Sequence, residues 1–360
     1  MANPLLYPLY VVQLATGAKS FKDNPLIGSA ALNARGLHAA RVRAAHTLAA
    51  ARRARLARLI APEDRAAFDR DGFVEKRDFL PPDLFARLRD KVLARSAPAR
   101  EMLQGDAITR RFAVDPVFLA DVPEMRALIA DPVWRGLIRY AGSFDQEPLI
   151  YVQSILSHVR AADPDPQTHL HADTFHPTVK AWLFLTDVAE DGRPLTYVAG
   201  SHRLSEARIA WERRKSVGIK EDGDRLSKRG SLRISPEELA ELGLPQPTHF
   251  SVSANTLVIV DTCGFHARAS SDRPTMRMEL WAFSRRSPFL PWTGLDPLSW
   301  RPIAIRRAEW LQSIVDWLDR RGWATQHWRP AGRWPNNVVT LPGRKQQLEA
   351  EGPKKKEMRG

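Results

Sequence analysis

The sequence predicts an α+β fold: a double-stranded β-helix core (a jelly roll of cupin-like form) with N-terminal helices and a helical C-terminal extension. Three observations predict it. Short β-rich runs follow one another at close spacing from Leu149 to Phe283, with turn residues between them. The chain ahead of them is rich in Ala, Arg and Leu, which favour helix. A second helical pattern, Ile303 to Arg321, follows the last strand.

Taken in order, residues 1–62 read as an arm and a helix. Met1 to Gly28 mixes prolines, aromatics and short apolar clusters, as expected of an extended arm lying on the body or on a partner. Asn33 is placed to cap a helix from about Arg35 to Ile60. Seven arginines fall between Arg35 and Arg58 with no acid among them, which fits a membrane-surface helix. Arg41 and Arg52 interrupt its apolar stripe, however, and favour packing against the domain. Residues 63–290 read as the jelly-roll domain. Its expected elements are a short helix to Asp71, a strand from Gly72 to Phe79 and a helix from Pro81-Pro82 to Arg95. An irregular stretch from Arg110 to Ala120 and a helix from Met125 to Tyr140 follow. Strands are then expected at Leu149–Val159, His169–Thr174, Val179–Val188, Leu195–Ala199, Thr248–Ser253, Thr256–Asp261, Phe265–Ala269 and Met276–Phe283. A charged helical insert occupies about 205–243. Residues 291–343 form a Trp-rich helical extension with seven of the eleven tryptophans. Their aromatic faces suit sugars or a membrane interface, but packing onto the barrel is the favoured reading. Residues 344–360 read as a disordered tail.

Composition narrows the function. Hydrophobic content of 44% and charged content of 26% are those of an ordinary globular chain of 360 residues. The single cysteine, Cys263, excludes an intrachain disulfide framework and a cysteine-rich zinc site. A net charge of +13 favours anionic partners, although an arginine-rich proteome would give the same balance. No like-charge run has the length of a nucleic-acid arm, so no nucleic acid is expected as a partner. No convincing targeting signal or spanning segment is present. The expectation is a cytoplasmic protein, with peripheral contact at the inner membrane face left open. The oligomeric state is not legible.

The chemistry concentrates in His169-Leu-His171-Ala-Asp173, which packs two imidazoles and a carboxylate into five residues. On a strand, His171 and Asp173 would share a face. Two histidines and a carboxylate are the facial set that holds non-haem iron(II) with positions left open. The third ligand is expected to be His266, 93 residues after Asp173, in Asp261-Thr-Cys-Gly-Phe-His266. Arg277 follows eleven residues later.

The order of these pieces resembles the phytanoyl-CoA dioxygenase family of iron(II)- and 2-oxoglutarate-dependent oxygenases. The matching segments are Asp71-Gly-Phe-Val-Glu-Lys-Arg-Asp-Phe-Leu80, His171-Ala-Asp173, Lys180 to Val188, Gly200-Ser-His-Arg203, His266 and Arg277. They span about Phe68 to Ser284. The resemblance implies that His171, Asp173 and His266 bind iron(II) and are the catalytic set. It implies that Arg277 grips the distal carboxylate of 2-oxoglutarate, a pairing that suits a planar guanidinium. With O2, a C–H bond would be hydroxylated as the co-substrate decarboxylates to succinate. Lys180 is a second cofactor-binding candidate, set against a solvated lysine at a strand end. Arg273 and Arg268 compete with Arg277. His169 is a candidate ligand but is expected as a supporting or pocket residue, His176 is a candidate for orienting substrate but is expected as an exposed loop residue, and His202 is expected as part of its turn. Related halogenases replace the ligating carboxylate with a small residue; this chain keeps Asp173, which favours hydroxylation. The substrate is expected to be a small or lipid-linked anionic molecule, with an acidic sugar of lipopolysaccharide as one candidate. Two other classes compete: a metal-dependent hydrolase or cupin-type enzyme on the same barrel, and a non-catalytic protein that binds a glycolipid or a partner.

Overall fold

A computed structural model describes residues 4–335. The tail expected at 344–360 lies outside the described residues. In chain order the helices are α1 (Tyr7–Leu14), α2 (Ala30–Ala34), α3 (Leu37–Leu56), α4 (Pro62–Asp71), α5 (Pro82–Ala94) and α6 (Pro116–Asp121). They continue as α7 (Glu124–Ala130), α8 (Pro132–Gly142), α9 (Glu206–Asp222), α10 (Pro236–Glu241), α11 (Arg301–Ala304) and α12 (Arg307–Arg320). The strands are β1 (Phe73–Lys76), β2 (Ser96–Gln104), β3 (Ala107–Ala113), β4 (Leu149–Leu156), β5 (Val179–Phe184) and β6 (Leu195–Tyr197). They end with β7 (Thr248–His249), β8 (Leu257–Asp261), β9 (His266–Arg268), β10 (Met276–Ser284) and β11 (Arg329–Pro335).

The strands form two antiparallel sheets of a jelly roll. The larger runs β1-β8-β5-β10-β4-β3-β2-β11 and the smaller β7-β6-β9. Alternation along the larger sheet sends successive side chains to opposite faces. One face carries Val152, Leu183, Ile259 and Leu280 into a core shared with Phe118 and Trp134 of the covering helices. The other carries Lys180 and Trp182 of β5, Gln153 of β4, Arg111 of β3, and Arg277 and Trp281 of β10 toward a cavity. The register puts Trp182 and Tyr151 on either side of Trp281.

Several expectations change. The N-terminal arm is not extended: residues 7–14 are helical, and Pro8 sits in the first turn, where its missing N–H costs little. Asn33 does not cap the long helix. It lies in α2, its amide donating to the carbonyls of Ile27 and Ser216, and Gly36 at φ 98° opens α3 instead. The stretch read as irregular contains β3 and α6. The helix expected over 125–140 is broken at Asp131, whose side chain caps α8 ahead of Pro132. Arg41, Arg52 and Arg53 of α3 turn inward, while Arg43 and Arg55 stay exposed: Arg52 is 1% exposed and donates to the carbonyls of Ser143 and Pro288. The tryptophans do the reverse. Trp334 is buried, but Trp292, Trp300, Trp310, Trp317 and Trp323 are exposed, so packing onto the barrel does not explain them. No helix among the described residues is long and apolar enough to cross a membrane.

Candidate metal centre

Three chain segments meet at one point. His171 and His266 exchange backbone hydrogen bonds in both directions at 3.0 Å, an antiparallel bridge between distant parts of the sequence. Residues so paired project their side chains to the same face, and the two imidazole centroids lie 4.6 Å apart. On its other side, the His171 segment pairs with residues 232–234, inside the helical insert between α9 and α10. The strand expected over 169–174 shrinks to this bridge. Ala172 N–H goes to Leu232 and Asp173 N–H to Thr262, so the change of partner ends the ladder and puts Asp173 in a bend. The bend still aims the carboxylate at the histidines: Asp173 Oδ1 is 3.7 Å from Nε2 of each. All three ligand atoms lie within 4.8 Å of one another.

The backbone fixes how each imidazole faces. His171 Nδ1 donates to the His169 carbonyl at 2.8 Å and His266 Nδ1 to the Gly264 carbonyl at 3.0 Å. Both Nε2 lone pairs therefore point at the shared centre, and buried Nε2 of His266 has no partner among the described residues. Gly264 is required for close approach: a Cβ there would stand 2.0 Å from the Tyr197 hydroxyl. Burial lowers the pKa of both imidazoles and holds them neutral, although Asp173 opposes the shift. Burial alone would raise the Asp173 carboxyl, but Lys180 and the two histidines outweigh it and keep it ionised. Two inward lone pairs and a carboxylate oxygen are a donor set short of a cation. The 3.7 Å separations lie under the roughly 4.2 Å reachable by two ligands on one ion at about 2.1 Å each. These residues fit a divalent metal.

The cavity beside the centre is about 340 Å³. Six cations line it (Lys19, Arg111, Lys180, Arg268, Arg277 and Arg285) against one acid, Asp173. Lys180 Nζ holds Asp173 Oδ2 at 2.6 Å, which fixes Oδ1 as the oxygen that faces the histidines. Arg277 is buried; its Nε lies 3.1 Å from Glu279 and its Nη1 donates to the Arg193 carbonyl, in the acidic-Gly-Arg-Pro turn. A chain of contacts continues from Glu279 through Gln153 to Arg111, which stacks 3.8 Å over Trp281. Arg268 also lines the cavity but is tied to Asp165. Arg273 pairs with Asp191 on the surface, outside the cavity.

His169 is exposed and contributes its backbone carbonyl, not its ring. His176 is buried rather than exposed, because the N-terminal segment at Gly17 covers it; its Nδ1 donates to Pro177 and burial pushes its pKa down to about 3. His202 is buried against Phe68, away from the metal ligands. Sequence reasoning missed Arg111 and Lys19. Arg111 lies on β3, whose Ile108 and Phe112 were a usable β signal. Lys19 comes from the N-terminal segment and donates to the Asp173 carbonyl, and no spacing announces it.

Residues 68–232 match the family described as phytanoyl-CoA dioxygenase (PhyH). No curated protein matches the sequence. Similar solved structures include SnoN, a non-heme alpha ketoglutarate dependent epimerase from nogalamycin biosynthesis. It is 21% identical, with 68% of this chain and 93% of that chain covered and a TM-score of 0.41. HygX from Streptomyces hygroscopicus, with nickel and 2-oxoglutarate bound, is 17% identical over 62% of this chain and 86% of its own, TM-score 0.37. EctD from S. alaskensis is 16% identical over 67% and 83%, TM-score 0.36.

Proposed function

We propose, from the match of residues 68–232 to the phytanoyl-CoA dioxygenase (PhyH) family and from the geometry of the centre, that the protein is an iron(II)- and 2-oxoglutarate-dependent dioxygenase that hydroxylates a C–H bond of an anionic substrate. The observation that carries the reading is the pair of inward-facing Nε2 atoms closed by Asp173 Oδ1. His171, His266 and Asp173 would hold the iron and leave positions open for the co-substrate and O2. The bound iron supplies the oxidising chemistry, in which O2 and 2-oxoglutarate give succinate, carbon dioxide and one oxygen atom for the substrate.

The chain's own residues supply placement. Arg277 binds the distal carboxylate of 2-oxoglutarate. Glu279 and the Arg193 carbonyl hold its Nε and Nη1, which leaves the Nη2 edge for that carboxylate. Lys180 serves the iron site through Asp173, by pinning the oxygen that does not face the metal. Trp182, Trp281 and Phe283 line the cavity as flat apolar walls. We place the protein in the cytoplasm, at the inner membrane face, acting on a small or lipid-linked molecule; an acidic sugar of lipopolysaccharide belongs to this class. Support for the membrane contact comes from the exposed tryptophans of the C-terminal extension and the net charge of +13.

The test is anaerobic loading with iron(II) and 2-oxoglutarate, followed by exposure to air and measurement of succinate. The wild type forms succinate, and His171→Ala loses both metal and turnover. Arg277→Met keeps the metal but needs roughly tenfold or more additional 2-oxoglutarate, the value of a lost charge-assisted contact. A protein that binds metal, consumes no 2-oxoglutarate and tolerates Arg277→Met would instead be the metal-dependent hydrolase or cupin-type enzyme. One that binds no metal would be the non-catalytic binding protein.

A further inference from the structure

We propose that Lys19 and Arg285, with Lys180 beside them, form an oxyanion subsite for the substrate, at the end of the cavity away from Arg277. The assignment to substrate rests on reading Arg277 as the co-substrate clamp.

Distance separates the two ends. Arg277 and Arg285 both line the cavity and lie eight residues apart along β10 and its immediate continuation. At about 3.4 Å per residue that is roughly 27 Å, far longer than a five-carbon diacid. Lys180 belongs to the Arg285 end, because it pairs across the sheet with Phe283, six residues beyond Arg277. A co-substrate that reaches from Arg277 to the metal ligands at Asp173 therefore stops short of Arg285.

Charge points the same way. Arg277 has Glu279 as partner and Arg268 has Asp165. Lys19 donates only to the backbone carbonyl of Asp173, and no carboxylate pairs with Arg285 among the described residues. An iron(II), ionised Asp173, doubly charged 2-oxoglutarate and protonated Lys180 together sum to zero. Arg111, Lys19 and Arg285 are then left without an acid; Arg111 is held by Gln153 and stacked on Trp281, whereas half-buried Lys19 and exposed Arg285 keep donors free to attract an anion.

The subsite is also held in place. Arg41 of α3 donates to the carbonyls of Leu14, Thr16 and Ala18 at 2.7–3.0 Å, which fixes the segment that ends in Lys19. The Arg41 guanidinium itself stacks 4.5 Å over Phe175. Trp182, Trp281 and Phe283 lie between the two cationic ends. The ligand that fits is a small molecule whose phosphate or carboxylate group sits at Lys19 and Arg285 while an apolar or ring portion lies along the aromatic wall.

Inorganic phosphate is the probe, titrated calorimetrically into full-length, metal-free protein with and without saturating 2-oxoglutarate. The expected result is phosphate binding that persists beside 2-oxoglutarate and weakens roughly tenfold or more in Lys19→Met and in Arg285→Gln, the loss of one charge-assisted contact each. Lys19→Arg keeps the charge and should retain most of the binding; thermal melts establish that each variant folds. Phosphate that fails to bind, that 2-oxoglutarate displaces one for one, or that binds both neutralised variants as well as wild type overturns the proposal. Iron and 2-oxoglutarate titrations of the same wild-type protein keep the readings apart: their failure counts against the oxygenase, whereas phosphate that ignores Lys19 and Arg285 counts against the subsite.

Discussion

Helices α3 and α12 invert what their compositions suggest. The arginine-rich helix is an internal strut, and the tryptophan-rich one shows its aromatics to water. In α3, Arg52 and Arg53 end among carbonyls at and beyond the end of α8: Ser143 and Pro288 for Arg52, and for Arg53 the Tyr140 carbonyl that it shares with the Ser143 N–H. A guanidinium offers five donors in one plane, so one side chain satisfies several such groups where water is excluded. In α12 the attached face is polar. Asp316 takes Arg100 and the Gln326 amide, Asp319 takes the Gln326 backbone N–H, and the small Ala308 meets the barrel. Trp310, Ile314 and Trp317 are left on the outside, at 47%, 56% and 41% exposure. A side chain's polarity therefore matters less than what the facing surface lacks.

The largest effect should come from breaking α3. Arg53 Nη2 pairs at 2.7 Å with Asp261, whose side chain is fully buried. Asp261 Oδ1 in turn accepts the N–H groups of Thr178 and Cys263, in the loops that lead to Lys180 and His266. Arg53→Met leaves a buried carboxylate uncompensated and should cost about 3–5 kcal/mol in denaturant titration. It should also weaken metal binding. The pH dependence that Asp261 contributes should weaken. Burial alone would raise the Asp261 carboxyl, but Arg53 outweighs it and holds it below the usual range. The wild-type contribution is therefore present above the unfolded carboxyl's pKa and is lost as pH falls through the lower folded value. Without Arg53, the N–H groups of Thr178 and Cys263 still oppose burial, so the folded pKa rises toward the unfolded one and the contribution that acid removes from the wild type shrinks. A variant as stable as wild type, with unchanged pH dependence, would remove α3 from the structural side of the comparison.

A smaller effect is expected one turn-set earlier. Arg41→Gln removes the donors that hold Leu14, Thr16 and Ala18, and should cost roughly 1–3 kcal/mol. Residues 14–19 should exchange their amide hydrogens faster, while β5 and β10 keep wild-type protection. Unchanged exchange at 14–19 would mean that other contacts hold Lys19 at Asp173.

These contrasts mark where sequence reading works. Period-two alternation is local, so β4, β5, β8 and β10 were legible within a few residues of their ends. The proximity of His171 to Asp173 follows from a two-residue spacing, whatever the backbone does between them. β2 was hidden by Pro98, which a strand tolerates here because β3 pairs only from Arg100 onward and the β11 side is irregular between Pro330 and Arg333. Lys19 was hidden for a different reason: its place depends on Arg41 reaching back over twenty residues to the carbonyls before it, a contact with no periodic trace. The facing of the arginines and tryptophans was hidden because the surface opposite each helix comes from distant chain.

The smallest effect should be on stability at α12, and it is the most telling. Trp310→Ser and Trp317→Ser remove exposed rings, and each should change unfolding free energy by no more than about 0.5 kcal/mol. Trp317 stands 5.5 Å from Trp323, and Arg321 lies 4.1 Å over its ring, so aromatics and cations share one patch. Such a pairing suits the headgroup level of an anionic bilayer. The double variant should melt like wild type yet lose sedimentation with phosphatidylglycerol vesicles, and neutral phosphatidylcholine vesicles should bind neither protein. Loss of several kcal/mol would instead put these tryptophans in the packing of the extension, and α12 would then differ from α3 only in composition. Vesicle binding that survives the double substitution would move the membrane-facing surface elsewhere, with the exposed Leu9, Val11 and Val12 of α1 as the next face to substitute.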